Sequence, residues 1–531
     1  MSRPRPPADS SSPEDTAEAD ERELRDAAHE VESEIEELGD AEAAPPLPSA
    51  TLAAQATHPR TAEQIARDRR GTAVEIVQLA WPVMLSQVLV SLSGLIDRAM
   101  IGRVGGELGA AVPLAAAGFA TQFFFIIQST LFAIGLACVA LMARAIGAGN
   151  PRRARLALAA SIQVSIGVTA VLMAVMIVFA RPSLSLLGAE PVVIDTALPY
   201  LRLVIGSAIV LSVSLVLDSA LRANKDTRTP MYIAGVVTAI KLLLNWALIF
   251  GYWGAPRLEL VGAGLATVIS QLVGLWLFVR VVTRAPSGSP VRLRARDLLR
   301  RNPLRADVIR ISVPGIAERL VMNGAMLSYF WVLGRGYGTV AVAAYTVGIA
   351  LLSFSWIPGQ GYAQAGATLV GQALGQKSPD TAARTGWLSA GLALGTAVVL
   401  GVVCAFAAEP LARLFTDDRE VIAELIPFLL TLAVAQPFLQ LHFTLGGAHR
   451  GAGDTVTPLV AATLGTWLFR VPLSVFFGFV LHAPLLWVWG AIILDHIARS
   501  AYLAWSFRRG RWRDLPEPGS GGANGRRPAR A

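Results

Sequence analysis

The chain has 531 residues, of which 53% are hydrophobic and only 16% are charged, and its formal net charge is +8. This composition excludes an ordinary soluble globular protein, because too few polar residues are present to cover the surface of one. The positive charge does not indicate a nucleic-acid partner, since the arginines punctuate apolar segments instead of forming one basic patch.

The first segment differs from the rest of the chain. Residues 1–72 are rich in Pro, Ser, Ala and acidic residues, with an acidic block from Glu14 to Glu37. Such a segment buries too little apolar surface to fold alone, so we predict a disordered cytoplasmic tail. A partner-binding or regulatory tail is the alternative. Residues 509–531, rich in Gly, Pro and Arg, are predicted to form a second disordered tail.

From Val74 onward, apolar runs long enough to cross a bilayer as helices follow one another. They lack the sustained polar/apolar alternation of membrane β-strands, so the predicted fold class is an all-α polytopic membrane protein. We predict twelve spans: 74–98, 112–142, 154–180, 195–221, 230–251, 260–283, 306–334, 341–373, 383–407, 421–446, 457–480 and 485–507.

The chain matches itself at an offset of 228 residues. Proline falls on proline at several positions at this offset, for example Pro151 on Pro379 and Pro230 on Pro458. The offset indicates an internal duplication. We predict an N-lobe over 73–284, a basic linker over 285–305 and a C-lobe over 306–508. Six spans per repeat is an even number, so the lobes share one orientation about a pseudo-two-fold axis along the membrane normal, with a cavity between them.

The distribution of arginine orients the predicted spans. The loop 280–305 between the repeats has the highest density of arginine in the predicted membrane region. Because basic residues are retained on the cytoplasmic side, we expect both termini to be cytoplasmic and the protein to be a multi-pass protein of the cell inner membrane.

Two loop motifs recur in both halves. Residues 143–151 match 371–379, and residues 222–230 match 450–458, where Asp-Thr and Thr-Pro occur in both copies. Each motif ends one helix and begins the next, with Asp or Asn as the cap and Pro in the first turn.

In order and spacing, these motifs resemble those of the multidrug and toxic compound extrusion (MATE) transporters. Further matching stretches are Leu95-Ile-Asp97, 356–361, 368–372 and 467–472. The resemblance covers residues 74–512. It implies twelve spans in two six-helix lobes, no enzymatic activity, and export of cationic or amphipathic compounds in exchange for H⁺ or Na⁺.

Charged groups inside spans are costly and are therefore candidate functional residues. Asp97 matches the first-span acid that the family uses for cation coupling, and Thr267 keeps a matching hydroxyl. The family pattern Asn-x-x-x-Asp in span 5 is replaced by Lys241 and Asn245. We therefore expect these four residues to form a cluster that couples to protons, because an ammonium group occupies the place of a sodium ion. The alternatives are a static Asp97–Lys241 pair, or a hydrated Asp97 beside Arg98.

The C-lobe offers a second set of polar candidates. Glu318 is either a substrate or proton site, or half of a structural ion pair with Arg319 or Arg470. His496 is expected to be a packing residue more than a titrating one. The substrate-or-proton candidates are Glu318, Asn323, Gln360, Arg470 and Asp495.

These observations predict a secondary-active exporter that works by alternating access, as a monomer without cofactor or bound metal. A flippase for lipid-linked saccharides is the alternative, but it needs several arginines in each lobe, and the predicted mid-span cations are few: Lys241, Arg319 and Arg470. An intramembrane enzyme is disfavoured, since no span carries His-Glu-x-x-His or Gly-x-Ser-x-Gly.

Overall fold

The computed structural model describes residues 62–103, 111–186, 190–300 and 302–515, which are helical throughout, without β-strands, apart from short connections. The predicted tails lie for the most part outside these residues, which leave out 1–61 and 516–531. Every predicted span coincides with a helix or with a pair of consecutive helices.

The first half contains spans 1 to 6. A short helix, Ala295–Leu299, lies in the linker that follows. Span 4 consists of two helices that meet at a bend of 41°. In chain order the helices are Ala62–Ile101 (span 1), Ala111–Gly147 (span 2), Pro151–Leu186 (span 3), Pro191–Gly206 with Ala208–Ala223 (span 4), Arg228–Phe250 (span 5) and Glu259–Arg284 (span 6).

The second half contains spans 7 to 12. Span 8 breaks at Trp356, and span 11 contains two π-helical segments, Leu464–Arg470 and Phe476–Val480. A short helix, Ala408–Phe415, follows span 9. In chain order the helices are Arg305–Gly336 (span 7), Gly338–Ser355 with Ile357–Gly375 (span 8), Pro379–Phe406 (span 9), Arg419–Gly451 (span 10), Val456–Val480 (span 11) and Leu485–Arg509 (span 12).

Length and composition identify membrane-spanning helices among the described residues. Nine helices qualify, and the bent pair of span 4 makes a tenth. The two remaining predicted spans, 7 and 12, carry the charged pairs Glu318–Arg319 and Asp495–Arg499, which lower their apolar content. The fold is therefore an all-α membrane protein of twelve helical spans in two six-helix lobes.

Each lobe has its own apolar core. The N-lobe core joins spans 2, 3 and 4 through side chains with almost no exposure, and the C-lobe core is an aromatic cluster between spans 7, 8, 10 and 12. Representative core residues are Ile134, Leu158, Leu201 and Leu217 in the N-lobe and Tyr329, Tyr345, Phe428 and Trp489 in the C-lobe.

The two lobes meet through a symmetric crossing of spans 2 and 8. A Cβ atom on Gly147 would lie 2.0 Å from the carbonyl oxygen of Gln372, and one on Gly375 would lie 2.1 Å from that of Arg144. Both the glycines and the carbonyls are related by the 228-residue offset. The contact thus places a pseudo-two-fold axis between the lobes, at the side of the molecule where the loop motifs lie, which we call the motif side.

Hydrogen bonds between the lobes close the motif side further. The guanidinium of Arg222 in span 4 donates to Gln364 in span 8. Thr368 donates to the carbonyl of Arg222 at 3.2 Å, and Gln372 donates to that of Ala223 at 2.8 Å. The C-terminal end of span 4 is therefore satisfied by side chains of the other lobe.

The loop motifs form the predicted helix caps. The Asp226 carboxylate accepts from the backbone N–H of Thr229 at 3.0 Å, and Asp454 accepts from that of Thr457 at the same distance. Asn150 accepts from the N–H of Arg153 at 2.9 Å. Spans 5 and 11 thus begin with matching geometry, whereas Ser378, the counterpart of Asn150 before span 9, makes no side-chain cap hydrogen bond.

Candidate functional site

The N-lobe cluster lies between spans 1 and 5. The Asp97 carboxylate accepts hydrogen bonds from the Lys241 ammonium and from the Asn245 amide, the latter at 2.6 Å. Asn245 is fully buried, while the side chains of Asp97 and Lys241 keep about a fifth of their exposure. The carbonyl oxygen of the Asn245 amide is buried without a hydrogen-bond partner. The Asp97 carboxylate therefore lies beside a buried oxygen, that of the Asn245 amide, which accepts no hydrogen bond.

Lys241 and Asn245 reach Asp97 together because they are four residues apart on one helix. This spacing places both side chains on the same face of span 5. Arg98, the alternative partner of Asp97, is exposed. The hydrated-end arrangement considered from the sequence is therefore not the one observed.

Thr267 does not join this cluster through a hydrogen bond in the described structure. Its hydroxyl donates to the carbonyl of Ala263 in its own helix at 2.9 Å. Back-bonding of this kind is the usual way in which a threonine satisfies its hydroxyl within a helix. Three of the four expected N-lobe residues are therefore brought into direct contact.

In the C-lobe, Glu318 has a partner that the sequence did not indicate. Its carboxylate accepts from the guanidinium of Arg450 at 2.5 Å, and the side chain is buried. The expected pairs with Arg319 or Arg470 are wrong as direct ion pairs, because the long side chain of Arg450, at the end of span 10, reaches the Glu318 carboxylate in span 7.

Asp495 is the second buried carboxylate of the C-lobe. It has no exposure and accepts two hydrogen bonds from Arg499, at 2.5 and 2.8 Å. Arg470 lies 3.9 Å away, donates to the hydroxyl of Tyr345 at 2.8 Å, and stacks on the ring of Tyr329. Two arginines from different spans therefore share this carboxylate.

The π-helical segment of span 11 makes room for this group. Arg470 is the last residue of that segment, and Gly465 lies within it. A Cβ atom on Gly465 would lie 2.1 Å from the Asp495 carboxylate, so span 11 passes directly over the ion pair. π-Helical turns are found frequently at functional sites.

A small cavity of about 20 Å³ lies beside Glu318, which is room for about one water molecule. Of the substrate-or-proton candidates, Glu318 and Gln360 line it, whereas Asn323 is not among its lining residues. The polar residues that line it are Glu318, Arg319, Gln360, His442, Arg450 and Arg499.

A second small cavity, of about 30 Å³, lies near the lobe interface. Several of its lining residues correspond to those of the first cavity at the 228-residue offset, including Arg222, which corresponds to Arg450. Arg222 pairs with Asp218 of its own helix at 2.9 Å, whereas the equivalent position in span 10 is Gly446. The carboxylate that pairs with Arg450 comes instead from span 7.

The polar residues of span 10 have two different roles. Gln436 and Gln440 donate to the hydroxyl and the carbonyl of Ser355, the latter at 2.7 Å, where span 8 breaks. They satisfy the broken helix. The ring of His442 stacks on that of His496, with centroids 5.1 Å apart, and the Nδ1 atom of His496 has no partner. The packing interpretation of His496 agrees with the stacking.

Sequence reasoning missed Arg450 and Arg499 as candidates. Arg450 was assigned to a loop motif, but the helix of span 10 continues to Gly451. Arg499 had a signal, since Asp495 and Arg499 are spaced as an i, i+4 pair. Among the described residues, no group of three His, Cys, Asp or Glu side chains is placed to hold a metal ion.

Comparison with known proteins supports one family for both halves. The family model described as MatE matches residues 82–247 and 314–476. A probable multidrug resistance protein NorM of Thermotoga maritima is 28% identical over 446 residues, which cover 82% of this chain and 92% of that protein.

Two solved structures share the fold. An outward-facing multidrug resistance MATE family transporter of the MOP superfamily superposes with a TM-score of 0.77 at 21% identity, covering 84% of this chain and 97% of that one. A Vibrio cholerae MATE transporter gives 0.76 at 23% identity, covering 84% and 99%.

Proposed function

This chain belongs to the MatE family, and from that premise we propose that it is a secondary-active exporter of amphipathic or cationic small molecules. The names of its relatives, multidrug resistance proteins among them, support efflux of drug-like compounds. We further propose that the exchanged ion is the proton and that transport proceeds by alternating access between the lobes.

The observation that carries the proposal is the Asp97–Lys241–Asn245 cluster. A sodium ion needs several oxygen ligands and no adjacent cation, but here an ammonium group donates directly to the carboxylate. A proton needs only the carboxylate. Protonation of Asp97 removes the charge that holds Lys241, so the cluster has two states that differ in their hydrogen bonding.

The topology proposed with this function follows the distribution of charge. The N-lobe is 73–284, the C-lobe is 306–508, and the basic linker 285–305 lies in the cytoplasm with both tails. The protein works as a monomer in the cell inner membrane. Its partners are the exported small molecule, the coupling ion and the bilayer.

The alternative of a lipid-linked saccharide flippase is less well supported. The charges of Lys241 and Arg222 in the N-lobe are each paired with a carboxylate, Asp97 and Asp218. A cavity that binds a pyrophosphate in both lobes needs unpaired cations in both, and the N-lobe clusters offer none of that kind.

The test is transport of rhodamine 6G into proteoliposomes under separate pH and sodium gradients. We expect the pH gradient alone to drive transport, and Asp97→Asn to abolish it because the amide cannot exchange a proton. Lys241→Ala removes the ammonium group that binds Asp97 only when the carboxylate is charged. It should therefore impair the coupling of transport to the pH gradient. Asp380→Asn is the matched control, because Asp380 is an exposed carboxylate outside both clusters.

Transport that follows the sodium gradient and ignores pH would contradict proton coupling. Unchanged transport in both Asp97→Asn and Lys241→Ala would place the coupling site outside the N-lobe. Loss of transport in Asp380→Asn would indicate a general defect of the variants instead of a coupling defect.

A further inference from the structure

The spans of the C-lobe hold more positive than negative charge around one cavity. Glu318 pairs with Arg450 and lines the cavity together with Arg319 and Arg499. Asp495 lies next to the cavity lining, where it is held by Arg499 and Arg470. The four arginines are Arg319, Arg450, Arg470 and Arg499, so the group of six charges is net positive by two.

The hydrogen bonds leave Arg319 as the cation in excess at the cavity. One oxygen of Glu318 accepts from Arg450, and both oxygens of Asp495 accept from Arg499. Among the described residues, no carboxylate forms an ion pair with Arg319. Its guanidinium lies instead over the ring of Phe132 in the opposite lobe, 4.9 Å from the centroid.

The pseudo-equivalent cavity of the N-lobe provides an internal comparison. There a single arginine, Arg222, is neutralised by a single carboxylate, Asp218, of the same helix. In the C-lobe cavity, Gly446 occupies the position equivalent to Asp218. The charged residues Glu318, Arg319 and Arg499 line this cavity and have no charged equivalents in the N-lobe. The two cavities therefore occupy equivalent places in the two repeats but differ in the net charge of their lining residues.

We propose that the C-lobe cavity binds the anionic group, a carboxylate or a phosphate, of an amphipathic compound, with Arg319 as the main contact. The Arg319 guanidinium is only partly exposed and forms no ion pair within 4 Å in the described structure, and its planar fork suits a carboxylate or phosphate. Phe132 and Phe443 supply apolar surface beside it. The inference rests on the proposed export function only in making this compound a substrate.

Binding to the purified full-length protein in neutral detergent tests the site without requiring transport. The probes are fluorescein, an anion at pH 8, and rhodamine 6G, a cation with the same ring system, each followed by fluorescence anisotropy. Arg319→Gln should weaken fluorescein binding relative to rhodamine 6G by about tenfold or more, because a charge-assisted hydrogen bond is lost. Arg319→Lys should retain most of the fluorescein affinity.

Arg413→Gln is the matched control, since Arg413 lies on the exposed helix after span 9 and its loss removes one positive charge elsewhere. The site is refuted if fluorescein does not bind, or if Arg319→Gln and Arg413→Gln bind it equally well. Gel filtration and rhodamine 6G binding report whether Arg319→Gln is folded. If it is not, the fluorescein affinity of Arg319→Lys is compared with that of the unmodified protein, and a complete loss of binding in this folded variant would also refute the site.

Reconstitution into nanodiscs identifies the source of the anion. Competition between fluorescein and phosphatidylglycerol, but not phosphatidylcholine, supports the anion site and assigns it to a lipid headgroup. Fluorescein binding that is equal in both lipids supports it as a substrate site. If binding persists while the proteoliposomes show no ion-driven transport, the proposed function fails and the anion site stands.

Discussion

At the scale of single residues, Lys241 has the largest consequence for coupling. It stands one helical turn before Asn245 and donates to the Asp97 carboxylate, which we propose to be the proton-coupling group. The buried amide oxygen of Asn245 is left without a partner. A cluster with one carboxylate, one ammonium and one amide can exchange a proton, but it has too few free oxygens for a metal cation.

Restoring the family pattern should change the coupling ion. We expect the double substitution Lys241→Asn with Asn245→Asp to make transport respond to a sodium gradient by about fivefold, since it removes the ammonium and adds a carboxylate. Sodium- and pH-driven uptake by proteoliposomes measures this. Lys225→Asn, which removes a partly exposed lysine near the motif side, is the control. No sodium response in the double variant would argue against this account.

The Glu318–Arg450 pair should behave as a buried ion pair. Glu318→Gln leaves Arg450 without its carboxylate and should lower the free energy of unfolding by about 3 kcal/mol. The double variant with Arg450→Gln should recover part of this loss, because no unpaired charge remains. Thermal unfolding in detergent, analysed as a double-mutant cycle, gives the coupling. Additive losses would show that the two side chains do not interact.

At the scale of elements, helix breaks are stabilised from neighbouring helices. Span 8 breaks at Trp356, and two glutamines of span 10 satisfy Ser355 at the break. Span 11 turns π-helical where it passes over the Asp495–Arg499 pair. In each case the irregular segment contacts a polar side chain of another span that is distant in sequence.

The two equivalent caps should differ in strength. Asp226→Ala should lower stability by about 1 kcal/mol, the usual cost of losing a capping side chain. Asp454→Ala should cost more, because Asp454 also accepts from the Thr457 hydroxyl at 2.6 Å and lies 3.0 Å from the Nδ1 atom of His449. Unfolding of both variants in detergent compares them. Equal losses would mean that the additional contacts of Asp454 contribute nothing.

The same carboxylate predicts a pH dependence. Burial opposes ionisation of Asp454, but the hydrogen bonds from His449 and Thr457 outweigh it and hold the pKa below its ordinary value. A depressed pKa contributes stability that is present above the unfolded-state value and is lost as the pH falls through the folded-state value. We expect this contribution to be complete above about pH 4 and to disappear below it. As the pH is lowered below about 4, the melting temperature should therefore fall less steeply in Asp454→Ala than in the unmodified protein.

At the scale of the whole molecule, the crossing of spans 2 and 8 closes the motif side. Gly147→Val or Gly375→Val introduces a side chain where the opposite backbone already lies, so we expect either to reduce transport by about tenfold or more. Gly391→Val in span 9 is the control, because nothing lies within 4 Å of its added Cβ. Proteoliposome uptake measures all three, and equal activity in the three variants would contradict a closed crossing.

Much of the architecture could be predicted because its signals are local or periodic. Apolar runs located the spans, and the 228-residue offset located the caps at Asp226 and Asp454. The contact of Lys241 with Asp97 followed from a residue type in a known pattern. The partner of Glu318 did not follow, because Arg450 is 132 residues away and reaches it only through helix packing. Membership of Thr267 in the cluster stays a prediction, since its hydroxyl donates to a carbonyl of its own helix in the described structure.

The reciprocal contact of Gly147 and Gly375 bears on how the chain arose. Each glycine lies against a backbone carbonyl of the other repeat, and the two carbonyls are at equivalent positions. Such a reciprocal contact is the geometry of an isologous interface between identical subunits. A six-span ancestor with this sequence pattern would pair with a second copy of itself across the same crossing. In a single chain that contains both copies, a position away from the axis no longer has to be compatible with a second copy of itself. One half was thereby free to acquire Asp97 and Lys241, and the other to acquire Glu318 and Arg319.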